Sequence, residues 1–249
     1  MQNPIAKPNL PDSSARCAAI GDYPELKVAL NKLGINTITL CASPQLPEPV
    51  CRHADMLCCH LGGEKILLEK TQTSAAKKFI EHGFTPEFVH NDIKKNYPHD
   101  VPLNAAVFGK NLIANTEVVS KEILEYACIN NLRIIYVKQG YAKCSVCIVN
   151  ENAVITDDIS IKKACDSNSI DALFVEKGSI RLTGHDYGFI GGCSGLIDKN
   201  RLAFFGDIDR HTNSVKIKEF LKKYEVNPLS LREGELIDVG GILPLTVQK

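Results

Sequence analysis

One pattern recurs along this chain and limits its fold more than any single residue does. A polar lead-in is followed by a short apolar strand, a tight turn, a returning strand, a helix and a third strand. The pattern is clearest in Cys51–Leu68 (CRHADMLCCHLGGEKILL), with His53 and Asp55 in the lead-in, a strand over Met56–His60, a Gly62-Gly63 turn and a strand over Lys65–Leu68. The spacing predicts a helix over Thr73–His82 that stops at Gly83, then a strand over Glu87–His90 and a polar loop over Asn91–Pro102.

The same order returns three times. Ala105–Phe108 and Leu112–Ala114 flank a Gly109-Lys110-Asn111 turn, ahead of a helix over Glu117–Asn130 capped by Thr116 and a strand over Arg133–Val137. Ser145–Val149 and Val154–Thr156 precede a helix over Ile159–Cys165 and a strand over Ala172–Val175. Ser194–Ile197 and Leu202–Phe205 precede a helix over Asn213–Tyr224 and a strand over Pro228–Leu231. The Lys-rich stretch 216–223 reads as the wet face of that last helix. The chain ends with Ile237–Thr246, the first strand of a fifth unit. The missing strand, helix and strand stand at the other terminus, in Cys17–Asp22, Pro24–Leu33 and Asn36–Cys41.

First strands begin near residues 55, 104, 145, 194 and 239, a period of 41–49 residues. Such a period marks propellers, solenoids or arrays. A solenoid needs capped ends, whereas these two ends are complementary parts of one unit. The expected fold is therefore a five-fold pseudosymmetric α/β propeller of ββαβ units. Its ring would be closed by the C-terminal strand on the N-terminal segment, with helices outside and first strands at the centre. A doubly wound sheet fits poorly, because each unit starts with a hairpin. Residues 1–15 read as a flexible arm, and residues 16–249 as one domain.

Composition narrows the function classes. Lys+Arg and Asp+Glu both number 29, so no overall charge draws the protein to nucleic acid or an anionic membrane. No apolar run approaches the roughly 20 residues of a membrane helix, and the N-terminus lacks an export signal's apolar core. A cytoplasmic protein with ten reduced cysteines is expected.

Several residues carry chemistry that the repeat does not need. Cys144 follows Gly140-Tyr141-Ala142-Lys143, and a cation beside it would favour the thiolate; otherwise it is a small buried hydrophobe. His53 and Asp55, two apart in an extended lead-in, would face the same way; otherwise they cap a turn. Asp238, ahead of Gly240-Gly241, either binds a cation or shapes the bend. Gly184–Gly195 (GHDYGFIGGCSG) holds five glycines in twelve residues, which implies positive φ or close backbone approach. N–H groups there, that of Gly192 included, could bind an anionic group; a tight crossover explains the glycines equally well. Cys193 is the rival nucleophile, and His185-Asp186 is a mouth pair or a solvated loop pair. Zinc at Cys144-x-x-Cys147 is disfavoured, since residues three apart in a strand face opposite ways, and so is a metal on His53, Asp55 and His60.

Five ββαβ units in a ring resemble the pentein fold of the guanidino-group-modifying enzymes, which include agmatine and arginine deiminases, dimethylarginine dimethylaminohydrolase and the amidinotransferases. His53-Ala54-Asp55-Met56 looks like the deiminase His-x-Asp motif. The resemblance implies that His53 is the general acid/base and that Asp55 contacts a substrate amidine. Two units on, Gly140–Cys144 is similar to the Gly-rich lead-in that ends in the nucleophilic cysteine. Two units further, Asp238-Val239-Gly240-Gly241 resembles Glu-Gly-Gly, whose acid contacts the substrate or the histidine. The order around the ring is kept with a shifted starting point, which a closed ring tolerates. Two features depart from the pattern. The Arg-Asp pair after the cysteine unit is replaced by Gly191–Gly195, without a carboxylate, and the loops between units are short, so any lid is small. The motifs HADM, GYAKC and GFIGGCSG are also similar to a bacterial branch for which the resemblance implies no settled activity.

The resemblance implies a cysteine-dependent hydrolase or transferase acting on an amidine, guanidino or related C–N bond of a small molecule, without cofactor or metal. Cys144 and His53 would be catalytic. Asp55 and Asp238 would hold substrate, with Gly192 and Cys193 nearby; Asn104 occupies the matching position of the intervening unit, where a structural role is the plainer reading. The alternative is a non-catalytic pentein that serves as a binding module, like the ribosome anti-association factor.

Overall fold

The computed structural model describes residues 2–90 and 93–248. In chain order the elements are β1 (Gln2–Pro4), β2 (Ala15–Gly21), α1 (Pro24–Lys32), β3 (Asn36–Leu40), α2 (Ala54–Leu57), β4 (Cys58–Gly62), β5 (Lys65–Leu68), α3 (Thr73–Glu81) and β6 (Thr85–Phe88). Then come β7 (Ala106–Phe108), β8 (Asn111–Ala114), α4 (Lys121–Ile129), β9 (Arg133–Tyr136), β10 (Val146–Asn150), β11 (Ala153–Thr156), α5 (Ile159–Ser167) and β12 (Asp171–Phe174). The last are β13 (Ile180–Arg181), β14 (Ser194–Asp198), β15 (Arg201–Phe204), α6 (Ser214–Lys223), β16 (Asn227–Ser230), β17 (Leu236–Ile237) and β18 (Leu243–Gln248).

The strands form a mixed α/β architecture of small separate sheets. Four of these have the orders β4-β5-β6, β7-β8-β9, β10-β11-β12 and β14-β15-β16. In each, the first two strands form an antiparallel hairpin, and the third pairs parallel to the second after a helical crossover. A fifth sheet, β1-β18-β2-β3, is assembled from the two chain ends. There β18 pairs antiparallel with β2 (Leu243 opposite Ala19), and β2 pairs parallel with β3. The C-terminal strand thus supplies the piece that the N-terminal strand, helix and strand lack.

Burial follows position within the unit. The first strands β4 and β7 are buried along their whole length, whereas the third strands β6 and β9 are mostly exposed. Apart from the short α2, which is buried all round, the helices cover the sheets with one apolar stripe each. In α6, Ile217 and Leu221 are buried while Lys216, Lys222 and Lys223 face solvent. Gly34 and Gly83 close α1 and α3 with positive φ; Asn131, Ser169 and Glu225 do the same after α4, α5 and α6, positions that no glycine marks in the sequence.

Four expectations need correction. The first fifteen residues are not a free arm: Gln2–Pro4 pairs with Thr246–Gln248, Ile5 is buried, and the Asn9 amide donates to the Val107 carbonyl at 2.9 Å. Backbone pairing and apolar burial outweigh the Pro- and Ser-rich composition. Second, Met56 and Leu57 belong to a helical turn, and strand β4 begins only at Cys58. An all-apolar run cannot distinguish the two when every side chain is buried. Third, α4 starts at Lys121, because Asn115 organises a turn over 115–119 through its Oδ1 and carbonyl. Fourth, Ile237–Thr246 is not one strand, since Gly240 (φ +76°) and Gly241 (φ +78°) bend the chain between β17 and β18. Of the expected loop Asn91–Pro102, Asn91 and Asp92 lie outside the described residues; 93–102 holds neither helix nor strand.

Candidate active site

The five lead-ins meet one another through hydrogen bonds that run from each to the next. Asn104 donates its amide N–H to the Asp55 carbonyl at 3.1 Å, and its Oδ1 accepts the backbone N–H groups of Lys143 (2.8 Å) and Cys144 (3.2 Å). Gly192 N–H donates to the Cys144 carbonyl at 3.1 Å. The Gly192 carbonyl accepts from Val239 (3.0 Å) and Gly241 (2.7 Å), and the Gly240 carbonyl accepts from Asp55 N–H at 3.1 Å. Residues nearly two hundred positions apart are thereby brought into one cluster.

At its centre is Cys144, 2% exposed. The thiol donates to Asp55 Oδ2 at 3.2 Å and accepts from Asn104 Nδ2 at 3.0 Å. Burial pushes this thiol well above the ordinary range, and the carboxylates of Asp55 and Asp238 push it further; the Asn104 bond opposes them. Lys143 does not play the part expected of it. Its side chain is buried, and its charge falls on Asp55, Cys58, Cys59 and Cys147 rather than leading among the influences on Cys144. Asp55 is raised by burial, against the pull of His53 and Lys143. Its Oδ1 has no hydrogen-bond partner among the described residues.

His53 and Asp55 are not side by side in an extended segment. His53 precedes the α2 turn and Asp55 lies in it, so the imidazole goes to Asp238 and the carboxylate to Cys144. His53 is fully buried, with Nδ1 3.6 Å from Asp238 Oδ1, and neither ring nitrogen has a hydrogen-bond partner among the described residues. Asp238 accepts Phe189 N–H at Oδ2 (2.9 Å) and Gly240 N–H at Oδ1 (3.1 Å). Glycine is required at 192 and 240 by close approach. A Cβ at 192 would lie 2.0 Å from Asp238 Oδ1, and one at 240 would lie 2.4 Å from His53 Cα.

Cys144, His53 and Asp238 form the floor of one cavity of about 280 Å³. Its walls include Tyr141, Leu182 and Phe189, and the exposed pair His185 and Asp186 sits at its rim, both solvated and lining. Tyr141 and Phe189 stack with ring centroids 6.0 Å apart, and the Tyr141 hydroxyl donates to Asp100 Oδ2 at 2.5 Å. The sequence offers little to single out these aromatic residues, beyond their positions inside the GYAKC and GFIGG stretches.

The other candidates lie elsewhere. Asn104 is behind Cys144 and does not line the cavity. Gly192 spends its N–H and carbonyl on the chain itself, as do Phe189 and Ile190 with their N–H groups, so these N–H groups are not free for an anion. The glycines of 188–195 serve close approach to protein: a Cβ at 191 would lie 2.4 Å from the Lys143 carbonyl, and one at 195 would lie 2.1 Å from the Ile242 carbonyl. Cys193 is fully buried in the apolar core with Cys147, and its thiol donates to the Ile190 carbonyl at 3.3 Å. Among the described residues, no three His, Cys, Asp or Glu side chains are placed to hold a metal ion, and no helix is long and apolar enough to cross a membrane.

Comparison with known proteins bears on this geometry. A model of a family of unknown function, DUF6873, matches residues 21–243. No curated protein matches the chain. Among solved structures, the agmatine deiminase of C. jejuni is similar in fold, with a TM-score of 0.55 and 10% identity, over 93% of this chain and 90% of that one. The inosamine-phosphate amidinotransferase of Streptomyces griseus gives 0.54 and 12%, over 95% of both chains. The dimethylarginine dimethylaminohydrolase of Pseudomonas aeruginosa, solved with citrulline, gives 0.52 and 7%, over 88% and 93%. The fold is that of the penteins.

Proposed function

The chain belongs to the DUF6873 family, and from its pentein fold and the geometry of its cavity we propose that it is a cysteine-dependent enzyme acting on the C–N bond of a small amidine or guanidino compound. We also read the four repeated three-stranded sheets and the sheet built from the chain ends as one closed ring, with the cavity at the hub. The observation that carries the proposal is the meeting at one cavity of the buried Cys144 thiol, the His53 imidazole and the Asp238 carboxylate, with Asp55 hydrogen-bonded to the thiol.

Burial first, and then the charges of Asp55 and Asp238, favour the protonated form of the resting Cys144 thiol. A cationic amidinium in the cavity beside Asp238 offsets negative charge around the thiol, so substrate itself lowers the cost of forming thiolate, and the thiol proton passes to His53. Sγ then bonds to the central carbon, and the C=N π pair moves onto nitrogen. Collapse breaks the C–N bond to the leaving amine, which takes the proton from His53. The amidino group remains on Cys144. Water, or an acceptor amine, next attacks the same carbon as His53 removes its proton, and breaking the S–C bond restores the thiol.

The carboxylate missing from Gly191–Gly195 has a spatial counterpart. Gly192 leaves room for Asp238 to lie against its backbone, so the acid of the next unit fills the space that a side chain at 192 would need. A module that only binds a macromolecule has no use for a buried imidazole facing a carboxylate at the same cavity as a thiol, which disfavours the binding-module reading.

The test is amine or ammonia release from a panel of guanidino and amidine compounds by the full chain. Release by wild type that is lost in Cys144→Ser and in His53→Ala supports the proposal. Equal release by Cys144→Ser would refute the role of the thiol.

A further inference from the structure

The cavity wall carrying Phe189 is fixed by a carboxylate outside the site. Asp157 follows β11 and is 3% exposed. Its Oδ2 accepts Ile190 N–H at 3.0 Å, while its Oδ1 is buried without a hydrogen-bond partner among the described residues. The preceding N–H, that of Phe189, goes to Asp238 at 2.9 Å. Two successive backbone donors of one wall are therefore bound by two buried carboxylates, one on the cavity floor and one behind the wall. The Ile190 side chain is fully buried, so this point of the wall is anchored by its N–H and by packing together.

We propose that Asp157 is a positioning residue: by holding Ile190 it sets the Phe189 wall, and through Phe189 N–H the Asp238 carboxylate, relative to Cys144. The charged and titratable groups that act on it are Lys177, Asp158 and Asp238, and its own charge reaches Cys193. Of these, Asp238 couples Asp157 to the cavity, so a cation bound there is felt by both acids. The Lys177 ammonium lies 4.6 Å from the Tyr187 ring and 5.8 Å from the Phe189 ring, on the same wall. This role rests on the reading of the cavity as an active site.

The probe is a haloacetamidine, an amidinium-bearing electrophile whose carbon bonds to Cys144 Sγ as halide leaves. Wild type should show saturable labelling of Cys144. Asp157→Ala, which removes the acceptor for Ile190 N–H, should raise the half-saturating concentration about tenfold and change the limiting rate much less, because ground-state placement is what is lost. Asp157→Asn keeps an acceptor oxygen and should restore near-wild-type half-saturation. Hydrogen exchange over 182–192 is read in parallel and should speed up in Asp157→Ala but not in Asp157→Asn. Unchanged half-saturation in Asp157→Ala overturns the inference while leaving the enzymatic reading intact. If wild-type Cys144 fails to label, the enzymatic reading falls; unaltered exchange over 182–192 would then overturn the wall anchor on its own.

Discussion

Replacing Asp157 by Asn should change how stability depends on pH. Burial, reinforced by the nearby charges of Asp238 and Asp158, raises this carboxyl from 3.8 to about 7, against the opposing pull of Ile190 N–H and Lys177. The folded protein then keeps a proton up to about pH 7 that the unfolded chain releases near 3.8. The stability contributed by this group is complete below the unfolded value and is lost as pH rises through 7. Between about pH 5 and about pH 8 the native state holds the extra proton over roughly two pH units, which at ~1.36 kcal/mol per unit amounts to about 2.7 kcal/mol. Asn does not titrate and keeps an acceptor for Ile190 N–H, so the variant should lack that share of the decline. Urea unfolding of both proteins at the two pH values measures it as a difference of differences. Asp55 and Asp100 are also raised by burial, but they are present in both proteins and cancel. Equal pH dependence, to within about 0.5 kcal/mol, would refute the assignment of a buried, proton-holding Asp157.

Three further substitutions follow from the packing of the lead-ins. Gly192→Ala puts a methyl 2.0 Å from Asp238 Oδ1, so Asp238 must move; labelling of Cys144 should fall at least tenfold, and denaturant unfolding should show a loss of about 1–3 kcal/mol. Asn104→Ala leaves the N–H groups of Lys143 and Cys144 without their acceptor, which should cost about 2 kcal/mol in urea unfolding and slow labelling of Cys144. Cys193→Ser should leave the labelling rate of Cys144 within about twofold, since the Cys193 thiol faces Ile190 in the core and not the cavity.

The fold was legible where local chemistry and the repeat agreed. Gly62-Gly63 and Gly109-Lys110-Asn111 marked hairpins that β4/β5 and β7/β8 form, and the complementary chain ends pointed to the pairing of Leu243 with Ala19. Local pattern gave no warning of β1, because nothing in Gln2–Pro4 shows that a strand edge awaits it at Thr246–Gln248. The α2 turn was hidden by an apolar run that is buried in either conformation. At the site, unit spacing put Cys144, His53 and Asp238 at matching positions of their units, and they line one cavity. Directions were harder to read. Adjacency suggested that Lys143 would act on Cys144, whereas the loop turns its charge towards Asp55 and the thiols beneath. Glycines suited to an anion instead admit Asp238, and Asp157, which no motif in the sequence singles out, accepts Ile190 N–H from the wall. Such pairings depend on contacts between units, which no window along the chain contains.

The proposed function rests on Cys144 being the nucleophile of an amidine-binding cavity. It is tested most directly by exposing the protein to a haloacetamidine and mapping the modified peptide by mass spectrometry, with a neutral haloacetamide of equal size as the control. The expected product is one added amidino-methyl group, on Cys144, formed with saturation, faster than with the neutral control and abolished in His53→Ala. Modification spread over the exposed Cys41 and Cys128, with Cys144 untouched or no faster than with the neutral reagent, would contradict it.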